Sequence, residues 1–224
     1  MKTYLTPLLM VSMLSSLASA ELVKSYFKTG ELKAVTNYLD GTNTDKKEGV
    51  KNGLEKVYYM EGMVGNEVNY VNDKRDGVLT WYDREGRTLS TTNYDMGKLV
   101  GEEKVYHTNG KLKHIVNYVD DKQEGEQKEF FDNGQLASQV TYLHGQKTGL
   151  QKEYTYEGKL YSEVAYKANL KEGDQNWYDD DGKVINTIFF KSDRPVKLMK
   201  KVQETNNADI KIKGIDFSPQ KARD

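Results

Sequence analysis

Glycine returns every 24 residues along this chain. One series runs Gly62, Gly86, Gly110, Gly134, Gly158, Gly182, and a second runs Gly53, Gly77, Gly101, Gly125, Gly149, Gly173. Two aromatic series keep the same step: Tyr58, Tyr82, Tyr106, Phe130, Tyr154, Tyr178, and Tyr70, Tyr94, Tyr118, Tyr142, Tyr166, Phe190. Four series in one phase confine the fold to a tandem array whose units pack on their neighbours. An earlier copy carries Tyr26, Gly30, Leu32 and Tyr38, giving about seven copies in all. The step from Gly30 to Gly62 is 32, and the eight extra residues fall around Gly41 to Gly49, a polar stretch that reads as an enlarged surface loop.

The unit reads as a β-hairpin. After Gly110, the residues Leu112, His114, Val116 and Tyr118 alternate with Lys113, Ile115 and Asn117 at the period of two that belongs to a strand. A two-residue type I′ turn would place both Asn109 and Gly110 at positive φ. Sister copies carry Glu85-Gly86, Glu157-Gly158 and Asp181-Gly182 there, and glutamate tolerates positive φ poorly. A three-residue loop, a type I turn closed by a G1 bulge, needs positive φ only at the glycine. It pairs His107 with Lys111 and Tyr106 with Leu112. The same register carried along the strands predicts that the Tyr106 row and the Leu112/Val116/Tyr118 row share one face, with Trp81 opposite Leu89 and Trp177 opposite Ile185 on the other. Successive hairpins then join in order, so the expected fold is all-β: an elongated, single-layer antiparallel meander with no helices, advancing roughly 10 Å per repeat.

The unit Gly125-x4-Phe130-Phe131-Asp132-Asn133-Gly134-x-Leu136-x5-Tyr142-x2-Gly145-x3-Gly149 resembles the bacterial variant of the MORN repeat, and Gly101 to Tyr118 carries the same pattern. The resemblance covers about residues 26–190. It implies an elongated hairpin array. It further implies the roles associated with such repeats: antitoxins of toxin–antitoxin pairs for many bacterial proteins, and scaffolds or membrane-associated modules for others. Thr88 departs from the pattern, standing where the copies usually carry an aliphatic residue after the glycine.

The ends differ from the array. Lys2, the apolar run Leu5 to Leu17 and the small residues Ala18-Ser19-Ala20 have the layout of a secretory signal. Residues 1–20 are expected to be cleaved after Ala20, leaving a periplasmic or secreted protein. Residues 21–190 form the array. Residues 191–224 are expected to form a cap and a disordered tail: Lys191 to Pro195 reads as a break, Val196 to Glu204 as a short helix, and Ile210, Ile212 and Ile215 as a short strand folded back over the last hairpins.

Chemistry is sparse. The absence of cysteine excludes disulfides and thiolate metal sites, and a net charge of −1 does not favour nucleic acid. His107 and His114 fall on opposite faces of one hairpin and His144 in a loop, so they do not form a cage. Asp179-Asp180-Asp181 precedes a turn glycine and lacks the spacing of a calcium loop. No phosphate loop or nucleophile motif occurs, and neither an enzyme, a cofactor nor a metal is expected. The chain holds 16 tyrosines against 6 phenylalanines, and its tyrosine rows read either as a ladder holding the sheet together or as a platform for sugar rings or apolar side chains. Trp81, Leu89, Tyr161 and Trp177 are the candidate partner-binding residues. The expected role is a protein-binding module, an antitoxin or immunity protein that blocks a toxin or effector. A glycan- or lipid-headgroup-binding envelope scaffold is the alternative; the lysines Lys197, Lys200 and Lys201 make only weak membrane contact.

Overall fold

Each copy folds around the turn that its glycine marks. In the computed structural model, which describes residues 20–39 and 49–196, the Gly110 amide donates to the His107 carbonyl (2.8 Å) and the His107 amide donates to the Lys111 carbonyl (2.8 Å). Gly110 has φ +81°. This is the three-residue G1-bulge loop, and it recurs from Phe27–Glu31 to Asp179–Lys183.

Seven hairpins result, pairing Ala20–Tyr26 with Leu32–Leu39, Lys51–Tyr58 with Val64–Val71, Gly77–Tyr82 with Thr88–Asp95, Gly101–Tyr106 with Leu112–Val119, Gly125–Phe130 with Leu136–Leu143, Gln146–Tyr154 with Leu160–Lys167 and Leu170–Tyr178 with Val184–Lys191. We number them hairpins 1 to 7. Each pairs with the next, and together with the short strands Lys74–Arg75, Lys98–Leu99, Lys122–Gln123 and Arg194–Val196 they form one open antiparallel sheet of 18 strands. The described residues contain no helix. The all-β single-layer meander is therefore the fold.

From hairpin 2 onward the joints are two-residue type I′ turns, the tightest link whose twist matches that of the sheet. Asn72-Asp73, Met96-Gly97, Asp120-Asp121, His144-Gly145, Ala168-Asn169 and Ser192-Asp193 all have positive φ at both positions. The turns are also tied to one another. The amides of Asp73, Gly97, Asp121, Gly145, Asn169 and Asp193 donate to the carbonyls of Lys51, Arg75, Leu99, Gln123, Lys147 and Lys171 in the preceding unit, at 2.7–3.1 Å. Where the second turn residue is Asp or Asn, its side chain returns the bond. Asp73, Asp121, Asn169 and Asp193 accept from the amides of Lys51, Leu99, Lys147 and Lys171 at 2.6–2.8 Å. Among the described residues, Met96, at φ +46°, is the one long unbranched apolar side chain held in this left-handed conformation. Asparagine accepts the conformation more readily. Met96→Asn is expected to raise stability by about 0.5–1 kcal/mol, seen as a higher urea midpoint with unchanged slope.

The register corrects one expectation. Tyr106 does pair with Leu112, but Val105 pairs with His114, so Lys113 is an extra residue in its strand. The same one-residue bulge falls at Lys33, Gly65, Leu89, Ala137, Tyr161 and Ile185. Alternation resumes one residue out of step beyond it. The Tyr106/Leu112 row therefore lies on the opposite face from His114, Val116 and Tyr118, and the two aromatic series occupy opposite faces. Trp81 pairs with Ser90, not Leu89, and Trp177 with Asn186, not Ile185. Both tryptophans share a face with Val116 and Tyr118.

We call this the valine face. Its central row alternates Val68, Leu79, Thr92, Glu103, Val116, Gln127, Val140, Gln151, Val164 and Gln175 from strand to strand. The buried side chains Thr36, Tyr38, Val68, Leu79, Thr92, Val116, Val140, Ser162 and Val164 all belong to it. Fully burying a valine contributes about 1.5–3 kcal/mol, so this one-sided row is the core. Beside it, Tyr70, Tyr94, Tyr118, Tyr142, Tyr166 and Phe190 each pair with a glycine across the hairpin, from Gly53 to Gly173. Lacking a side chain, the glycine leaves its place to the ring. The cations of Lys51, Arg75, Lys147 and Lys171 sit 4.9–5.3 Å from the rings of Tyr70, Tyr94, Tyr166 and Phe190. The other face carries Tyr58, Tyr82, Tyr106, Phe130, Tyr154 and Tyr178, backed by Lys56, Lys104, Lys128 and Lys152; we call it the lysine face.

At the C-terminal end the chain does not break after Phe190. It makes another type I′ turn at Ser192-Asp193 and pairs Phe189 with Val196. At the enlarged loop, Leu39 donates to the Val50 carbonyl (2.9 Å), closing its neck. The signal sequence before Ala20, the loop interior at 40–48, and the helix, strand and tail expected over 197–224 lie outside the described residues.

Candidate interaction surface

The candidate partner residues fall into two clusters. Trp81 sits between Asn66 and Ser90, whose small polar side chains leave its ring 43% exposed. Leu89, the bulged residue beside Ser90, is 37% exposed. In hairpins 6 and 7, Trp177 lies between Ser162 and Asn186 and is half-buried, while Tyr161, bulged next to Ser162, is 49% exposed. The tryptophans occupy equivalent positions four repeats apart, roughly 40 Å along the sheet. One small ligand does not bridge them; an extended partner laid along the valine face meets both. Phe189 does not join the second cluster, because it pairs with Asp174 on the lysine face.

The rest of the valine face is committed to the fold. Burial pushes the hydroxyls of Tyr118, Tyr142 and Tyr166 above the usual tyrosine value, with nearby carboxylates adding to the effect. The basic side chains between these rings are occupied as well. Lys51 bonds Glu55 (2.7 Å), Lys147 bonds Gln151 (3.1 Å) and Lys171 bonds Gln175 (3.0 Å). This row reads as a ladder that stiffens the sheet.

On the lysine face, the Lys56 ammonium lies 3.0 Å from Glu67, whose other oxygen accepts from the Tyr82 hydroxyl (2.8 Å). The lysine first, and then the tyrosine, hold the Glu67 carboxyl below the usual glutamate value. The hydroxyl of Tyr178 donates to Glu163 (2.5 Å) in the same way.

His107 and the first aspartate of the triplet do structural work. His107 Nε2 lies 2.8 Å from the Phe130 carbonyl of the next unit. Asp179 accepts from the amides of Asp181 (3.0 Å) and Lys183 (2.8 Å), fixing the last G1 loop. Among the described residues no three His, Asp or Glu side chains converge as metal ligands, and no helix is long and apolar enough to cross a membrane.

A one-layer sheet of identical hairpins, two-faced and open along its length, defines a solenoid-like β-repeat protein. The family described as "MORN repeat variant" matches it at residues 99–120, 123–144, 147–168 and 171–192. Each matched segment ends on the first residue of a type I′ turn. Hairpins 1 to 3, outside the matched segments, have the same loops and the same registers. Repeats of this family generally serve as protein- or lipid-binding modules and are not typically enzymatic. No curated protein matches the chain.

Proposed function

We propose that this chain is an exported, non-enzymatic module that binds another protein along its valine face, in the manner of an antitoxin or immunity protein. The observation that carries the reading is the exposed Trp81 with the bulged Leu89 beside its partner Ser90. A large ring is held open to solvent on a rigid strand, beside a buried row that fixes its position. Tryptophan on a pre-ordered surface is the commonest kind of binding anchor. Export rests on the leader-like residues 1–20. Cleavage after Ala20 removes a single rung, Ala20 with Leu39, and leaves the rest of the first hairpin paired.

The test combines both parts. The exported protein is expected to begin at Glu21 by intact mass. A partner protein isolated on it from the envelope fraction is expected to bind Trp81→Ala at least tenfold more weakly in a direct titration, a change of about 1.4 kcal/mol. A partner held equally well by wild type and Trp81→Ala, or no partner at all, removes the proposal.

A further inference from the structure

We propose that the trough between hairpins 3 and 4 on the lysine face is a binding site for a neutral saccharide. It arises where one repeat position departs from its sisters and a second lacks the carboxylate that two of them carry. The first is Thr88, which faces Tyr82 at the place occupied by Val64, Leu112, Leu136, Leu160 and Val184 in the neighbouring hairpins. The second is Thr91. It stands where Glu67 and Glu163 accept the hydroxyls of Tyr82 and Tyr178, fifteen residues later in each case. Threonine is too short to reach Tyr106, so the Tyr106 hydroxyl makes no hydrogen bond among the described residues.

The outcome is a cavity of about 710 Å³, lined by Arg87, Thr88, Thr91, Tyr106, Thr108 and Asn109. That volume lies within the range of small-ligand sites. No side chain among the described residues bonds the hydroxyls of Thr88, Thr91 and Thr108 either, so four hydroxyl-bearing residues line one solvent-accessible space. Tyr82 and Tyr106 flank Thr88 from strands roughly 10 Å apart. The charges nearby are spent. Arg87 is held by Asp83 (2.7 Å) and Glu85 (3.0 Å), and Lys104 by Glu102 (2.7 Å). A site with hydroxyl donors and acceptors, an aromatic wall and its neighbouring cations already paired suits an uncharged, polyhydroxylated ring with an apolar face. Its openness to solvent sets the affinity on the order of millimolar.

The experiment is a titration of the isotope-labelled purified protein with cellotetraose, chitotetraose and maltotetraose, followed by amide shifts. At least one sugar is expected to give saturable shifts centred on residues 87–91 and 104–110. Two variants test the cause. Thr88→Leu restores the sister aliphatic residue, and Thr91→Glu supplies Tyr106 with the acceptor that Tyr82 and Tyr178 have. Both suit the repeat pattern, and each is expected to weaken binding at least tenfold with the remaining spectrum unchanged. No saturable shift with any of the three sugars, shifts centred elsewhere, or undiminished binding by both variants overturns the proposal.

Discussion

Replacing Val116 by aspartate is expected to cost about 4 kcal/mol and to melt hairpin 4 and its neighbours. Val116 is 2% exposed and lies opposite Glu103 in the centre of the valine row. A carboxylate there loses its water and directly faces another carboxylate, with Gln127 on the following hairpin in the same row. The array gives it no second layer into which to turn. Because each hairpin is stabilised mainly by its two neighbours, the damage is local in origin and global in effect. Hydrogen exchange should show protection lost first in strands Gly101–Tyr106 and Leu112–Val119. Val119 supplies the control. It is 52% exposed, three residues away in the same strand, and Val119→Asp is expected to change stability by no more than about 0.5 kcal/mol.

Gly53→Ala is expected to destabilise by about 2–3 kcal/mol. Gly53 has φ +109°, beyond the left-handed well that an L-residue tolerates best. A Cβ there would meet the Asn37 Cβ at 3.1 Å. Asn37 has little freedom to withdraw, because its side-chain amide donates to the Leu54 carbonyl at 2.7 Å. Gly149 is the equivalent residue of hairpin 6, with φ +74° and open space where the alanine methyl would stand. Gly149→Ala should cost only about 1 kcal/mol. Chemical denaturation of the two variants side by side reads the combined cost of the wider φ and the Asn37 contact at Gly53. Equal losses would show that neither the wider φ nor the contact with Asn37 adds to the cost.

The period, the hairpin count and the G1 loop were legible because each rests on glycine, whose conformational role is written in its identity. Glu85, Glu157 and Asp181 before the glycine decided the loop type. The face assignment was not legible, because the bulged position is filled by Lys33, Gly65, Leu89, Lys113, Ala137, Tyr161 and Ile185. A residue that is merely extra places no demand on its side chain. An indirect signal did exist. Val57-Tyr58, Trp81-Tyr82, Val105-Tyr106 and Trp177-Tyr178 set two apolar residues side by side, and adjacent strand residues point to opposite faces. Both faces had to carry apolar side chains. The type I′ joints were likewise announced by Asp73, Gly97, Asp121, Gly145, Asn169 and Asp193 at the second turn position.

For the candidate site, sequence reasoning found the exposed rings but placed them on the wrong side of the sheet. It noted Thr88 only as an irregularity. The significance of Thr91 lies in a tyrosine fifteen residues away, and that relation exists only once the register is known.

The tie from each type I′ turn to the unit before it uses the same backbone atoms at every joint. Reach is therefore counted in whole steps. Excising or duplicating one 24-residue block within hairpins 2 to 7 leaves every remaining joint chemically unchanged and alters the span by roughly 10 Å, whereas an odd-numbered cut within a strand moves its valine to the lysine face. A lineage of such chains can change the length of surface it offers, like links added to a watchband, without redesigning a single contact.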